Sequence, residues 1–134
     1  MCPIQIIRNR KAVRQRWRCR YCRQPMWLKD IEVFAARHGL SLERARLLQV
    51  TAEHLHPRGE GGRDVRIAVA AACLYCNRMR HQAGEVLSPT DYACYVQDQL
   101  RRGGWHGIRI LPLDASPPSP QPPRFPPIIS GIRS

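Results

Sequence analysis

Two Cys-x-x-Cys pairs, Cys19-Arg-Tyr-Cys22 and Cys73-Leu-Tyr-Cys76, stand 50 residues apart and constrain this chain more than any other feature. A two-residue spacer lets both sulfurs of a pair reach one ion, and two pairs complete the tetrahedral four-thiolate shell that zinc favours. Such a shell leaves no position open for a substrate water, so a zinc held by Cys19, Cys22, Cys73 and Cys76 is expected to be structural. The competing readings are a redox dithiol, which normally needs one pair in a thioredoxin-like setting, and four unrelated buried cysteines. Cys2 and Cys94 have no partner at such a spacing and are expected to be incidental.

The rest of the composition narrows the class. A chain of 134 residues makes one small domain at most. Its 22 Lys and Arg against 10 Asp and Glu leave a net charge of +12, so the expected partner is a polyanion, nucleic acid first. No apolar run approaches the roughly 20 residues that cross a bilayer, and the opening MCPIQIIRNRK lacks the apolar stretch of a signal peptide. A cytoplasmic protein with no membrane association is therefore expected, and in that compartment paired cysteines are better metal ligands than disulfides.

Along the chain, residues 1–16 form a basic arm. From Val13 to Tyr21 the basic residues alternate with others, a period of two that fits an extended strand with Arg14, Arg16, Arg18 and Arg20 on one face; the competing reading is a solvated basic arm. Asp30 is expected to cap a helix carrying Ile31, Phe34 and Ala35 and ending at Gly39, and Ser41 a second one carrying Leu42, Ala45 and Leu48. The pattern turns β-like from Gln49 to Leu55. A long turn follows at His56-Pro57 and Gly59 to Gly62, then a partner strand from Ile67 to Ala72. A helix opens at Cys73 and runs to His81. The last helix has Ser88 as cap, Pro89 at its first position, and Tyr92, Tyr95, Val96 and Leu100 on one face. Eight of the 12 prolines lie between Pro112 and Pro127, so residues 105–134 are expected to be a disordered or polyproline-like tail. The fold class expected is α+β, with accessory helices around a small strand–strand–helix core in residues 17–104.

The stretch Glu53-His54-x-x-Pro57-x-x-x-Gly61-Gly62, a short strand, and then Cys73-x-x-Cys76-Asn77-x-x-x-His81 resembles the HNH endonuclease family, the zinc-knuckle type of ββα-metal nuclease, over about residues 17 to 82. The resemblance implies metal-dependent hydrolysis of DNA phosphodiester bonds. It makes His54 the general base that activates water, Glu53 an acidic metal ligand, and Asn77 and His81 ligands on the helix. The implied ion is one magnesium or manganese that stabilises the departing 3′ oxygen. Two departures stand out: Ala68 occupies the position of the family's middle asparagine, with Arg66 and Asp64 as nearby substitutes, and Glu53 replaces the commoner Asp.

Elementary chemistry points the same way. Asn77 and His81 are four apart, so a helix presents both on one face. A carboxylate, amide and imidazole set leaves coordination positions for water and phosphate oxygens. Imidazole titrates near neutrality and suits a base. Adjacent strand residues face opposite ways, so Glu53 and His54 converge only if the strand bends near Leu55-His56-Pro57. Arg14, Arg16, Arg18 and Arg20, with Arg78 and Arg80 on the helix, are the expected phosphate contacts. His56 is expected to play a supporting or structural part, and His38 and His106 to lie on the surface. The alternatives are a non-catalytic zinc-knuckle nucleic-acid-binding protein and, least favoured, a scaffold working through the proline-rich tail.

Overall fold

The computed structural model describes residues 3–55 and 68–113. In chain order the elements are α1 (Pro3–Arg14), α2 (Ile31–His38), α3 (Leu42–Arg46), β1 (Val50–His54), β2 (Val69–Cys73), α4 (Leu74–Gln82) and α5 (Pro89–Arg101). The fold is small and α+β, with a two-stranded antiparallel sheet that runs straight into α4. The turn at His56 to Gly62, Asp64, Arg66, Cys2 and most of the proline-rich stretch lie outside the described residues. No helix among the described residues is long and apolar enough to cross a membrane.

The strands pair from Val50↔Cys73 to His54↔Val69. β2 reads Val-Ala-Ala-Ala-Cys and is buried throughout, because helices cover it. α1 packs on β2 and β1, and its C-terminal neighbour Gln15 completes the edge of β2. The Ala71 N–H donates to Gln15 Oε1 at 3.1 Å and Gln15 Nε2 donates to the Ala71 carbonyl at 2.8 Å, so one side-chain amide stands in for a missing third strand. The Arg20 N–H donates to the same carbonyl at 3.1 Å.

The expected strand from Arg14 to Arg20 does not form. α1 continues through Arg14 and closes in a Schellman motif: the Trp17 N–H bonds the Ala12 carbonyl at 2.7 Å and the Arg16 N–H that of Val13 at 3.0 Å. Arg16 takes the left-handed conformation at φ 58° that glycine usually fills at this position. The period-two alternation of arginines therefore marks a helix end and a knuckle, and the basic arm is an ordered helix.

Other expectations meet the structure element by element. Ser41 and Ser88 cap α3 and α5, accepting from the Arg44 and Asp91 N–H groups, each at 3.1 Å. Asp30 precedes α2 in a left-handed conformation with no side-chain cap bond, while Gly39 closes that helix at φ 65°. Tyr92, Tyr95, Val96 and Leu100 are buried along α5 as expected.

The expected tail boundary at residue 105 is too early. His106 and Ile108 are buried, and Trp105, Ile110 and Leu113 pack against the core. The fully buried Gln24 binds this stretch: its Oε1 accepts from the Ile110 and Leu111 N–H groups at 2.7 and 2.8 Å, and its Nε2 donates to the Leu111 carbonyl at 3.0 Å.

Candidate metal centre and adjoining polar site

Cys19 and Cys22 lie in a tight turn, in which the Cys19 N–H bonds the Gln24 carbonyl at 2.9 Å and the Arg23 N–H bonds the Cys19 carbonyl at 3.1 Å. Cys73 ends β2 and caps α4, its Sγ accepting from the Cys76 N–H at 3.4 Å. All four sulfurs are buried and lie within 4.8 Å of one another, with Cys22 and Cys73 Sγ 3.9 Å apart. A tetrahedral zinc with Zn–S bonds near 2.3 Å sets sulfurs about 3.8 Å apart. The cluster could hold such a metal.

Polar hydrogens reach two of the four sulfurs from outside the cluster. The Tyr21 and Cys73 N–H groups both donate to Cys19 Sγ at 3.3 Å, and the Trp105 indole N–H donates to Cys76 Sγ at 3.3 Å. Burial pushes the Cys22, Cys73 and Cys76 thiols up. At Cys19 burial acts the same way, but hydrogen bonds from the other three cysteines outweigh it and hold the group well below the usual thiol range. Negative charge is thus favoured at Cys19, which also accepts from two backbone N–H groups.

The residues of the second expected site separate into two groups. Glu53 and His81 meet: Glu53 is fully buried, and its Oε1 lies 2.7 Å from His81 Nε2, whose side chain is 37% exposed. The pair therefore joins a sequestered carboxylate to a solvent-reachable imidazole. Donors about 2.0–2.2 Å from a shared cation sit roughly 3 Å apart, so Glu53 and His81 need part by only a few tenths of an ångström to hold one. Asn77 does not join them. Its Nδ2 donates to Thr51 Oγ1 at 2.9 Å and the Ala52 carbonyl at 3.0 Å, fastening α4 to β1.

His54 sits half-buried at the end of β1. The ladder stays regular through His54↔Val69, so no bend separates Glu53 from His54 and strand alternation directs the two to opposite faces. At Ala68, in place of a side-chain amide, the backbone carbonyl accepts from the Leu55 N–H at 2.8 Å and ties off the strand end.

Arg80 is not a phosphate contact. It is 2% exposed and its Nη1 donates to Glu53 Oε2 at 2.6 Å. Nε and Nη2 donate to the Leu87 carbonyl at 3.2 and 2.6 Å, and Nη1 and Nη2 also reach the His54 and Leu55 carbonyls at 3.2 Å. A signal for this was present: Arg80 is four residues from Cys76 on the same helix stripe, and that stripe is the buried one. Of the other arginines, Arg14, Arg16 and Arg78 are exposed. Arg18 bonds the Arg23 carbonyl at 2.9 Å and Arg20 lies over the Tyr21 ring.

Tyr21, inside the first knuckle, was not singled out by its sequence setting. Its hydroxyl donates to Glu53 Oε2 at 2.5 Å, and burial together with the Glu53 carboxylate pushes its pKa far above the usual phenol value, so it remains a donor. His38 is half-buried and edges against Phe34 at 4.6 Å. His106, expected on the surface, is 9% exposed; its Nδ1 accepts from the Ile108 N–H at 3.0 Å, so the proton sits on Nε2, which has no partner among the described residues.

Burial, with a smaller contribution from Arg44, pulls the His106 pKa down to about 4. An unfolded histidine titrates near 6.5. The group is thus neutral in the fold, its contribution is complete above about pH 6.5, and stability should fall as pH drops toward 4. Urea denaturation at several pH values should show His106→Gln with a shallower acid loss than wild type; parallel curves would place the acid sensitivity elsewhere. Comparison with known proteins finds no matching family model, curated protein or solved structure.

Proposed function

We propose that this chain is a metal-dependent endonuclease of the HNH kind, hydrolysing DNA phosphodiester bonds, with a structural zinc in the four-cysteine cluster. The observation that carries the reading is the meeting of Glu53 on β1 with His81 on α4 at 2.7 Å, in a strand–strand–helix unit stapled at its base by Cys19, Cys22, Cys73 and Cys76. A buried carboxylate beside a reachable imidazole on rigid elements suits a small divalent cation and a phosphate better than it suits a packed core.

In this reading Glu53 and His81 hold one magnesium or manganese. Such an ion supplies positive charge against the departing 3′ oxygen. His54 is the base of this reading, and because strand alternation sets it on the face opposite Glu53 its side chain must turn at the strand end to reach the attacking water; Arg80 Nη1 bonds its carbonyl at 3.2 Å. Asn77 keeps α4 in register with β1. The exposed Arg14, Arg16 and Arg78 hold phosphates, contacts that carry no base information.

A second reading, a non-catalytic zinc-knuckle nucleic-acid-binding protein, is favoured by Ala68 at the middle position and by the Arg80 guanidinium that already compensates Glu53. Incubation of purified protein with supercoiled plasmid decides between them. Nicked or linear product that requires magnesium or manganese supports the nuclease; retention of the plasmid uncut, with gel-shift binding intact, supports the binder.

Either reading expects DNA affinity to fall steeply with salt. Replacing Arg14 and Arg78 together by Gln should lower the log–log salt slope by roughly 0.9 for each phosphate that is no longer neutralised. Fluorescence anisotropy across a salt series reads this directly, and an unchanged slope would remove these two from the DNA surface.

A further inference from the structure

We infer that Tyr21 and Arg80 are positioning residues that take up one oxygen of Glu53 and leave the other alone to face His81 and a divalent cation; the inference rests on the cation-site reading above. Glu53 Oε2 receives two short donors, the Tyr21 hydroxyl at 2.5 Å and Arg80 Nη1 at 2.6 Å. Oε1 is left to His81 at 2.7 Å. A carboxylate held this way cannot rotate to chelate with both oxygens without breaking two charge-assisted hydrogen bonds to a fully buried side chain. Glu53 is therefore a one-oxygen ligand of fixed direction.

Both donors are themselves immobilised. The Tyr21 ring packs edge-on against Tyr92 with centroids 4.8 Å apart, and its carbonyl accepts from Gln97 Nε2 of α5 at 3.0 Å. The Arg80 guanidinium spreads over the carbonyls of His54, Leu55 and Leu87 and lies near the Tyr21 and Tyr92 rings. Such a network places an oxygen to within a fraction of an ångström, which a loop carboxylate in water would not achieve.

The source of Tyr21 carries a consequence. It lies between Cys19 and Cys22, and its own N–H donates to Cys19 Sγ at 3.3 Å. The same residue thus touches the four-cysteine cluster with its backbone and the Glu53–His81 pair with its side chain. The geometry of the knuckle is transmitted to the carboxylate through one phenol ring, and a disturbed cluster would remove one of the two donors on Glu53 Oε2 and leave Arg80 alone to hold it.

The test uses the full-length, zinc-loaded protein and Mn²⁺ as probe. Mn²⁺ binding is followed by electron paramagnetic resonance and plasmid cleavage is measured in parallel across the same Mn²⁺ range. Tyr21→Phe removes one hydroxyl and keeps the ring, so zinc content and fold should persist while Mn²⁺ affinity falls about 10- to 100-fold. Cleavage by this variant should recover as Mn²⁺ is raised. Tyr92→Phe is the control, because it removes a hydroxyl of the same core that bonds the Cys76 carbonyl at 2.8 Å rather than Glu53. It should bind Mn²⁺ like wild type.

Arg80→Lys keeps the charge and loses the fork, and a similar or larger loss of Mn²⁺ affinity is expected; should it fail to fold, Tyr21→Phe decides alone. Wild-type Mn²⁺ affinity in Tyr21→Phe, or an equal loss in Tyr92→Phe, overturns the positioning role even if the plasmid is cut. Mn²⁺ binding that weakens in Tyr21→Phe, in a protein that never cuts DNA, upholds the positioning role and removes the nuclease. A wild-type protein that binds no Mn²⁺ overturns both.

Discussion

Removing the zinc proposed for the four-cysteine cluster is expected to unfold the protein rather than to trim it. Structural zinc sites contribute about 10–16 kcal/mol in small metal-folded units, whereas a whole domain of ordinary stability has about 5–15 kcal/mol to lose. The cluster lies where the first knuckle, β2 and the start of α4 meet, and all four sulfurs are buried. Without an ion the chain must bury uncompensated thiolates, which is costly, or protonate them and lose the bonds that tie the two knuckles together. Elemental analysis should find one zinc per chain. A strong chelator or Cys76→Ala should abolish the cooperative thermal transition and the far-ultraviolet signature of α4 and α5. Trp105 offers a local probe, since its indole N–H bonds Cys76 Sγ, and its fluorescence should change with the metal. A zinc-free protein, or a Cys76→Ala variant with wild-type melting, would mean that hydrophobic packing alone supports the fold.

His54→Ala and His81→Ala are expected to abolish plasmid cleavage for different reasons. On the nuclease proposal His54→Ala removes a positioned general base, typically worth about 10²- to 10⁴-fold in rate. Zinc content, melting and DNA binding should stay near wild type. On the same proposal His81→Ala weakens the hold on the divalent ion, and it leaves the buried Glu53 Oε1 without its partner at 2.7 Å. Raising magnesium or manganese should restore part of its activity and none of that lost in His54→Ala. Added imidazole reverses the pattern, because it can replace a missing base more readily than a ligand on a helix. If His54→Ala cuts as fast as wild type while His81→Ala is dead, the base belongs to the Glu53–His81 pair, which strand alternation already sets apart from His54.

Much of the local structure was legible because its signals are short-range. Ser41 and Ser88 cap α3 and α5 through N–H groups three residues away, and Gly39 closes α2, all of which depend on a single turn of chain. The α5 stripe of Tyr92, Tyr95, Val96 and Leu100 follows from helical period alone. The basic segment misled for an equally local reason: Arg16 takes the left-handed conformation that usually signals itself as glycine, so nothing in the letters marks where α1 stops.

By itself the sequence determined the four-cysteine cluster, since two Cys-x-x-Cys pairs can satisfy one tetrahedral ion in few other ways, and it determined the strand–strand–helix order between and after them. Only the tertiary structure decided which charges are held inside. The four-residue spacing from Cys76 sets Arg80 on the inward stripe of α4 and Arg78 off it, but that Arg80 closes on buried Glu53 is decided by the fold. Asn77 looked like a partner of His81 and turns instead to Thr51 and Ala52, while Tyr21 reaches Glu53 across 32 residues. The physical reason is that a buried carboxylate must find its donors wherever packing brings them, and those distances are set by the meeting of α4, β1 and the knuckle rather than by spacing along the chain.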